Sequence, residues 1–473
     1  MAGGGAVQLT LDGVHSMYLN IGSKSGFFDS QHITYESFAM ESIAVDAMGS
    51  MDFGRGAKFK FTGAAELAAG GYIETTLPEL EAPAEIEASK RFYIAWVHCV
   101  GIYLYKSIEF NVNNTKVDAL YPQFIDLMGR LTISGDKREG YNDMIGEVNI
   151  HTRYSHNGTV HSGQVDPDAP QKMALIKPRT TVYMPLNFWW CKDYSMALPI
   201  GLLLFADIYV AVEYWEATKL YLIYEEDISA PGGAITVNTS ASPQTKPSIV
   251  ESKMYVDYVY MSNASRERVS NQSIFYLLKQ VRGSGSIPIS SSTLNHRFSF
   301  VMPVTSIIFG VQEDGAVADT VKRYDWWDRY HGNHNELNEV DPIQSQLPDP
   351  PLLSVTLKIL NTERFSNRGW MYWTRLTSFK PSTNTVTPST RGVYVYHFAL
   401  YPQQHLASGA INLSKSDNNY LLFETNRAAA KNPTITSACG IGSTGITGQI
   451  YLYAENHNYL YLDSGYISIL YNV

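Results

Sequence analysis

Short stretches in which apolar and polar residues alternate recur along the chain. A period of two is typical of a β-strand that buries one face and exposes the other. The alternation predicts strands at Lys58–Phe61, Asp207–Tyr214 and Tyr255–Tyr260. Near the C-terminus it predicts three more, at Gln449–Tyr453, Tyr459–Leu462 and Tyr466–Leu470. Many short strands separated by turn residues favour an all-β sandwich or jelly roll.

The segment Arg391–Leu400 departs from this alternation. Its centre, Val393–Tyr396, has no polar face, which predicts a long strand buried on both sides or at a contact. A loop with Pro402 and Gly409 follows, and we expect a second strand to start within Ala410–Ser414. No pattern in this segment is typical of an active site.

Helical periodicity is scarce, and only Pro122–Gly129 and Asn263–Ser270 are predicted as short helices. Three stretches rich in polar residues, proline or glycine are predicted as long loops: Ser229–Ser248, Asp325–Pro351 and Lys380–Arg391. By composition alone, a domain boundary falls in the first of them. No strict short-period repeat occurs, which disfavours solenoids and propellers.

Composition points to a protein that packs against others. At 473 residues the chain is long enough for two domains. Charged residues make up 17%, below the roughly 25% of typical soluble domains. The chain contains 32 Tyr, 19 Phe and 8 Trp, and aromatic residues favour strands and the buried centres of interfaces.

Charge and cysteine content argue against several classes of protein. The net charge of −9 and the lack of a basic tail argue against direct nucleic-acid binding. The three cysteines, Cys99, Cys191 and Cys439, are odd in number and widely spaced and cannot form a disulfide framework, which favours a reducing compartment. The N-terminus lacks the pattern of a signal peptide. The longest apolar run, Met196–Ala206, is about half of what spans a bilayer, so we expect a soluble protein.

Three groups contain residue types that are found in ligand-binding or metal sites. Gly440–Gly445 matches the dinucleotide-binding glycine pattern, but a strand is predicted after it where that site needs a helix, so we interpret it as a turn. Two sets of histidines and acids lie in predicted loops without rigid support, and we interpret both as solvated loop residues. They are His331, His334, Glu336 and Glu339, and His151, His156 and His161.

The sequence also gives little support for any catalytic residue. Cys191 follows Phe188, Trp189 and Trp190, where a buried thiol is inert. No glycine-flanked serine elbow occurs, and Glu225–Glu226 reads as surface charge. Six glycosylation sequons are attributed to chance, at Asn113, Asn157, Asn238, Asn263, Asn271 and Asn412. Modification of Asn157 or Asn238, which lie in predicted loops, is the minor alternative. We therefore predict no catalytic, cofactor-binding or metal site, no cofactor and no enzymatic activity.

A series of short motifs resembles one viral family nearly from end to end. In the first half these are Gly4–Gly5, Gln8–Leu9, Tyr18–Leu19, Phe27–Phe28, Phe38–Ile43, Asp52–Arg55, Thr76–Pro78, Glu139–Gly146, Met184–Cys191 and Ala197–Pro199. In the second half they are Tyr255–Tyr260, Glu363–Ser366 and Gly392–Ser414. In this order they are similar to the major capsid proteins of the large nucleocytoplasmic DNA viruses, such as iridoviruses, chloroviruses and marseilleviruses.

The resemblance implies an architecture. It implies two consecutive eight-stranded antiparallel jelly-roll domains with long loops and a few short helices. It also moves the boundary, because in the family the strand matching Tyr255–Tyr260 closes the first barrel. The expected division is an N-terminal arm at 1–30, a first jelly roll at 31–262, a linker at 263–272 and a second jelly roll at 273–473.

The resemblance also implies a function. The chain is expected to form homotrimers that serve as pseudo-hexagonal capsomers of an icosahedral shell, with an aromatic-rich trimer interface. Expected partners are other copies, neighbouring capsomers, minor capsid or cement proteins and, through other proteins, an inner membrane. The location is the virion, after assembly in the host cytoplasm. The three long loops are candidates for the outer surface or for clamps between subunits.

The sequence leaves two alternative functions. One is a minor capsid or scaffold protein of the same fold, which would be present in few copies per virion. The other is a double jelly-roll protein that binds or cleaves glycans. It would need convergent carboxylates and aromatic residues in a cleft, and the sequence has no motif of that kind.

Overall fold

The structure is a computed structural model. It describes residues 38–61, 63, 65–84, 89–146, 175–203, 206–227, 229, 235–263, 266–267, 274–319, 321–328, 350–380, 385–416, 418–426, 447–463 and 466–469.

Thirteen strands precede residue 262 in this part of the chain. They are β1 Phe38–Gly49, β2 Gly56–Lys60, β3 Leu67–Leu77, β4 Leu80–Glu81, β5 Lys90–Trp96, β6 Tyr105–Val112, β7 Thr115–Leu120, β8 Ile176–Lys177, β9 Thr180–Pro185, β10 Ile208–Tyr214, β11 Tyr221–Asp227, β12 Ile235–Val237 and β13 Glu251–Met261. The helices among them are α1 Val100–Tyr103, α2 Pro122–Thr132, α3 Gly135–Ile145 and α4 Trp189–Lys192.

Ten strands follow. They are β14 Ile274–Ile289, β15 Thr293–Phe298, β16 Pro303–Glu313, β17 Leu352–Ile359, β18 Thr362–Gly369, β19 Val393–His397, β20 Ile411–Asn412, β21 Asn419–Thr425, β22 Gly448–Asp463 and β23 Tyr466–Ile469. The helical elements are α5 Asp314–Val317 and a π-helical turn at Tyr372–Leu376. Short 3₁₀ turns occur at Tyr194–Met196, Ile200–Leu202, Ala217–Lys219 and Leu413–Lys415.

Each half of the chain forms one barrel of two four-stranded antiparallel sheets. In the first barrel, the front sheet has the order β1-β13-β3-β9 and the back sheet the order β7-β6-β10-β2. Strand β1 joins them, because its first nine residues pair with β13 and its last three with β2. The second barrel repeats the plan, with a front sheet β14-β22-β16-β19 and a back sheet β15-β21-β17-β18. The predicted all-β class with two eight-stranded jelly rolls is confirmed.

The alternating strands bury one face as expected. In β13, for example, Met254, Val256 and Tyr258 are buried, and the residues between them are half-buried. The core of the second barrel is aromatic, with Phe309 stacked on Tyr394 at 5.0 Å and in edge contact with Phe423 at 5.6 Å. These strands form because their apolar residues share one side of a pleated chain.

Strand β19 is buried on both faces, as the sequence predicts. Tyr394 and Tyr396 belong to the core of the second barrel. Val393 and Val395 belong instead to the cluster that continues into the first barrel. The prediction of a long strand is wrong, because β19 ends at His397 and the next strand, β20, has two residues.

Three other sets of predictions need correction or extension, and one helix was missed. Gln449–Tyr453 and Tyr459–Leu462 are parts of the single strand β22, because the polar residues Glu455–Asn458 between them are buried strand residues and no turn. The predicted loop 229–248 contains strand β12. The predicted helix at Pro122 is confirmed and continues to Thr132. Helix α3 was not predicted, since it has two glycines and little apolar periodicity.

Candidate functional site

The two barrels of one chain meet across a buried surface, here called the barrel–barrel interface. The first barrel contributes its edge strand β7 and helix α2, and the second contributes the outer face of its front sheet. Phe124 on α2 packs edge-on against Tyr453 of β22, with ring centroids 5.3 Å apart. The buried residues on both sides form one continuous hydrophobic cluster with the first core. The contact is therefore packed like a protein interior.

Two glycines permit the closest approach at this interface. A Cβ atom on Gly310 of β16 would lie 2.6 Å from the Trp327 ring and 2.7 Å from Leu127 of α2. A Cβ atom on Gly392 would lie 1.4 Å from the Trp327 carbonyl oxygen. The fully buried Trp327 thus packs against Gly310 and Gly392, and neither glycine can be replaced by a larger residue without a clash.

A buried carboxylate receives hydrogen bonds from both barrels. Asp126 on α2 accepts from Trp327 Nε1 at 2.6 Å and from Tyr103 Oη at 3.1 Å. Arg130, one helical turn later, donates to it at 3.0 Å. Burial raises the pKa of Asp126, while Arg130 and the hydrogen bonds oppose that rise. Such a network stabilises one relative placement of its parts, because an unpaired member would be costly.

A second buried acid lies beside the first. Arg323 donates two hydrogen bonds to the Asp325 carboxylate, at 2.9 and 3.0 Å. Although burial opposes ionisation, this guanidinium holds the pKa of Asp325 well below its usual range. Arg130 reaches across to the Asp325 carbonyl oxygen at 2.9 Å. Asp325 was predicted as the start of a polar loop, but Asp325, Trp327 and Asp328 are buried at the interface.

Strand β7 joins the edge of β14 through side chains. Asp118 Oδ1 accepts from the backbone N–H of Val281 and of Ala119, both at 2.9 Å. Gln280 Nε2 donates to the Val117 carbonyl oxygen at 2.6 Å. Burial raises the pKa of Asp118 to about 7, against the opposing effect of these two N–H groups and of Lys192 and Arg282.

An ion pair and an open pocket border this interface. Lys192 on α4 lies 3.5 Å from the buried carboxylate of Glu455 on β22. The adjoining pocket has a volume of about 540 Å³ and is lined by residues such as Trp189, Lys279 and His405. Lys279 Nζ donates to the carbonyl oxygens of Pro402 and Gln404, at 2.5 and 2.7 Å. These bonds fasten the loop after β19 to the front sheet.

The candidate residues from sequence do not converge on a site. Cys191 is partly buried on α4, and burial raises the pKa of its thiol well above the usual value. Glu225 is held by Lys90 at 2.9 Å and by Asn238 Nδ2 at 2.7 Å. The Asn238 nitrogen that a glycan would modify is thus occupied. Within the described ranges, no three His, Cys, Asp or Glu residues lie close enough to hold a metal ion.

Several other candidates lie outside the described residues. They are the glycine pattern Gly440–Gly445, the histidine sets at 151–161 and 331–339, Cys439, Asn157, Asn271 and the arm at 1–30. Of the remaining sequons, Asn113 lies in the β6–β7 turn, Asn263 in an exposed helical turn, and Asn412 at the end of β20. No helix in the described segments is long and apolar enough to cross a membrane.

The residues that do form the interface were missed by sequence reasoning. Trp327 was placed in a polar loop, and Asp118 and Glu455 drew no attention. One signal was available: Asp126 lies on the predicted helix Pro122–Gly129 and Arg130 directly follows it, a spacing of four residues that allows an ion pair if the helix continues.

Comparison with known proteins decides the family. A model described as the major capsid protein N-terminus matches residues 26–262. A second model, described as the large eukaryotic DNA virus major capsid protein, matches residues 265–468. The chain belongs to the major capsid protein family of the large eukaryotic DNA viruses. The resemblance stated from the sequence is confirmed.

Relatives in this major capsid protein family align over almost the whole chain. The major capsid protein of Phaeocystis pouchetii virus is 24% identical over 99% of both chains. That of Paramecium bursaria Chlorella virus 1 is 23% identical over 98% of both. The solved structure of PBCV-1 VP54 has a TM-score of 0.68 at 20% identity, covering 95% of this chain and all of that one. The Faustovirus major capsid protein has the same TM-score at 13% identity, over 95% and 94%. Major capsid proteins form the shell of the virion, which is a structural role.

Proposed function

We propose that three copies of this chain assemble into a pseudo-hexagonal capsomer that tiles the icosahedral shell of a large double-stranded DNA virus. The observation that carries the proposal is the contact between two like barrels in one chain. The edge strand and helix of one barrel pack on the sheet of the next, so the contact joins two different surfaces.

A contact between two different surfaces can be repeated. Such head-to-tail contacts close into a ring when the rotation between neighbours fits a whole number of units. Three two-barrel chains place six similar barrels around a threefold axis. The resulting tile has a nearly hexagonal outline and can fill a hexagonal lattice.

The domain borders expected from sequence belong to this proposal. The first jelly roll is placed at 31–262, the linker at 263–272 and the second jelly roll at 273–473. The segregation of the strands supports this division, since β1–β13 pair only among themselves in the described residues and β14–β23 do likewise.

The proposed partners are neighbouring capsomers, minor capsid or cement proteins and, through these, an inner membrane. We further propose assembly in the host cytoplasm, no enzymatic activity and no direct contact with the genome. The net charge of −9 supports the last point, because a surface that binds nucleic acid needs an excess of positive charge.

The solution mass of the purified protein tests the capsomer. We expect a particle of three times the 52.9 kDa chain, with a hexagonal outline and threefold symmetry in negative stain. A particle that stays monomeric at micromolar concentration would contradict the proposal. Copy number in purified virions separates the major from the minor capsid protein, which would be present in few copies.

A further inference from the structure

In the part of the chain that the structure describes, the head-to-tail contact leaves one complementary surface uncovered on each barrel. The first barrel uses its β7 edge and α2, but the outer face of its own front sheet has no barrel on it. The second barrel has its front sheet covered, but its β18 edge and the helical segment after it are open. Here these are called the acceptor face (outer face of β1-β13-β3-β9) and the donor edge (β18 and residues 370–380).

The donor edge repeats the element that the first barrel uses at the barrel–barrel interface. The β6–β7 turn has two residues with positive φ, Asn113 and Asn114, and the β17–β18 turn likewise has Leu360 and Asn361. Both hairpins carry a register shift at the same distance from the turn, so that Asp118 on β7 corresponds to Phe365 on β18.

The helices that follow the two edge strands also correspond. Helix α2 starts two residues after the end of β7, and residues 370–376 are helical directly after β18. The second barrel therefore presents the same edge-and-helix combination, with no partner barrel among the described residues.

The donor edge is apolar and basic. Met371 is 53% exposed, Leu376 55% and Phe379 78%. Large apolar residues exposed together are typical of a surface that another protein covers. Arg364 and Arg368 lie on β18, and the single acid of that strand, Glu363, is paired with Lys358 at 3.0 Å.

The acceptor face is aromatic and acidic. Tyr72 stacks on Tyr255 with ring centroids 5.1 Å apart and contacts Tyr183 at 6.1 Å, which forms a row of rings across three strands. Asp46 and Asp257 lie on the same side of this sheet as the rings, by strand alternation. At one end of β1, Phe38 is 60% exposed.

We propose that the donor edge of one copy packs on the acceptor face of the next copy, and that this contact closes the trimer. The inference rests on the proposed capsomer and adds the surfaces and residues that build it. Basic and apolar groups on one side meet acidic and aromatic groups on the other, so that charge and apolar area are both complementary. The aromatic-rich trimer interface expected from sequence corresponds to the tyrosine row.

Charge reversal on the full-length chain tests the pairing. Arg364→Glu with Arg368→Glu should place negative charge against the acidic face and raise the concentration for half-dissociation of the trimer by about tenfold or more. Asp46→Arg with Asp257→Arg should do the same from the other side. The chain that carries all four changes should regain trimers, because opposite charges face each other again.

An apolar variant and a matched control complete the test. Phe379→Ser should weaken the trimer, whereas Leu406→Ser should leave it intact, because Leu406 is comparably exposed (73%) but lies at the pocket beside the barrel–barrel interface. Circular dichroism would establish that each variant is folded.

The outcomes separate this inference from the proposed function. If the unaltered chain is a trimer and neither the reversed pairs nor Phe379→Ser changes its mass, the assigned surfaces are wrong and the capsomer stands. If the unaltered chain is a monomer, the capsomer itself is wrong. Loss of trimers in both charge-reversed pairs with recovery in the fourfold variant supports the assignment.

Discussion

At the scale of single residues, the barrel–barrel interface depends on acids that lie out of contact with water. Asp126, Asp325 and Glu455 each have a cationic partner, at 3.0, 2.9 and 3.5 Å. Asp118 instead relies on two backbone N–H groups. Among the described residues no cation forms a direct ion pair with Asp118, and burial raises its pKa to about 7 against the two N–H groups and the more distant Lys192 and Arg282.

The stability of the chain should therefore depend on pH through Asp118. Its folded-state pKa is raised to about 7 from an ordinary value near 4. The stabilisation is complete below about pH 4 and is lost as the pH rises through about 7. Asp118→Asn keeps the accepting oxygen but does not ionise. Between pH 5 and pH 8 the variant should gain on the order of 1–3 kcal/mol relative to the unaltered protein, measured by urea unfolding at each pH.

The comparison with the unaltered protein is essential, because other groups titrate in the opposite sense. Burial lowers the pKa of His397 to about 4, and its contribution is lost as the pH falls below about 6.5. A difference between Asp118→Asn and the unaltered protein that stays constant from pH 5 to pH 8 would contradict the assigned pKa of Asp118.

At the scale of elements, the turns that lead into the edge strands β7 and β18 differ in how well their residues suit the backbone conformation. Two-residue turns with both central residues at positive φ favour asparagine and glycine. The β6–β7 turn has two asparagines, whereas the β17–β18 turn places Leu360 at a φ of 52°. A leucine in this conformation is strained because its Cβ approaches the following carbonyl group.

Leu360→Asn should relieve this strain. We expect the free energy of unfolding to rise by about 0.5–1 kcal/mol, since asparagine tolerates the left-handed region. Chemical denaturation measures the change. Leu353→Asn is the control, because Leu353 is also exposed, at 41%, but lies on the extended strand β17, where φ is not positive. If the free energy of unfolding rises equally in both variants, the gain comes from removing an exposed leucine and not from the turn.

At the scale of the whole molecule, the two barrels share one hydrophobic cluster. The first core continues through Phe124 and Leu127 into Trp327 and Tyr453 of the second half. Domains joined by a large apolar interface are expected to unfold together, whereas a small polar one would let them unfold separately.

We expect the unaltered protein to unfold in a single calorimetric transition. We expect two transitions when the Trp327 side chain is removed from the barrel–barrel interface. Trp327→Ala should cost about 3–5 kcal/mol and uncouple the barrels, because the ring fills the space between them. The control is Trp373→Ala, which removes an equally buried ring from the core of the second barrel alone. It should lower stability by a similar amount without freeing the first barrel. A single transition in both variants would indicate that the coupling does not depend on Trp327.

By itself, the sequence determined the all-β class, the family and the positions of some strands, among them β2, β10 and β13. These follow from local properties: period-two alternation, turn residues and ordered motifs are visible without knowing what lies across the sheet. Val393–Tyr396 is the clearest case, because the absence of a polar face predicted burial on both sides or at a contact, and the strand is buried on both sides. Even here the local pattern did not reveal which partner covers each side.

Only the tertiary structure decided where the barrels meet and which surfaces stay uncovered. Glu455–Asn458 looks like a polar break between strands, and Trp327 like part of a solvated loop. The partners of Glu455, Asn458 and Trp327 lie more than a hundred residues away in the chain, at Lys192, Gln280 and Asp126. The correspondence between the β7 and β18 edges is likewise hidden, since Thr115–Leu120 and Thr362–Gly369 share geometry and little sequence. Burial of polar residues and the repetition of a contact depend on long-range packing, which local patterns do not encode.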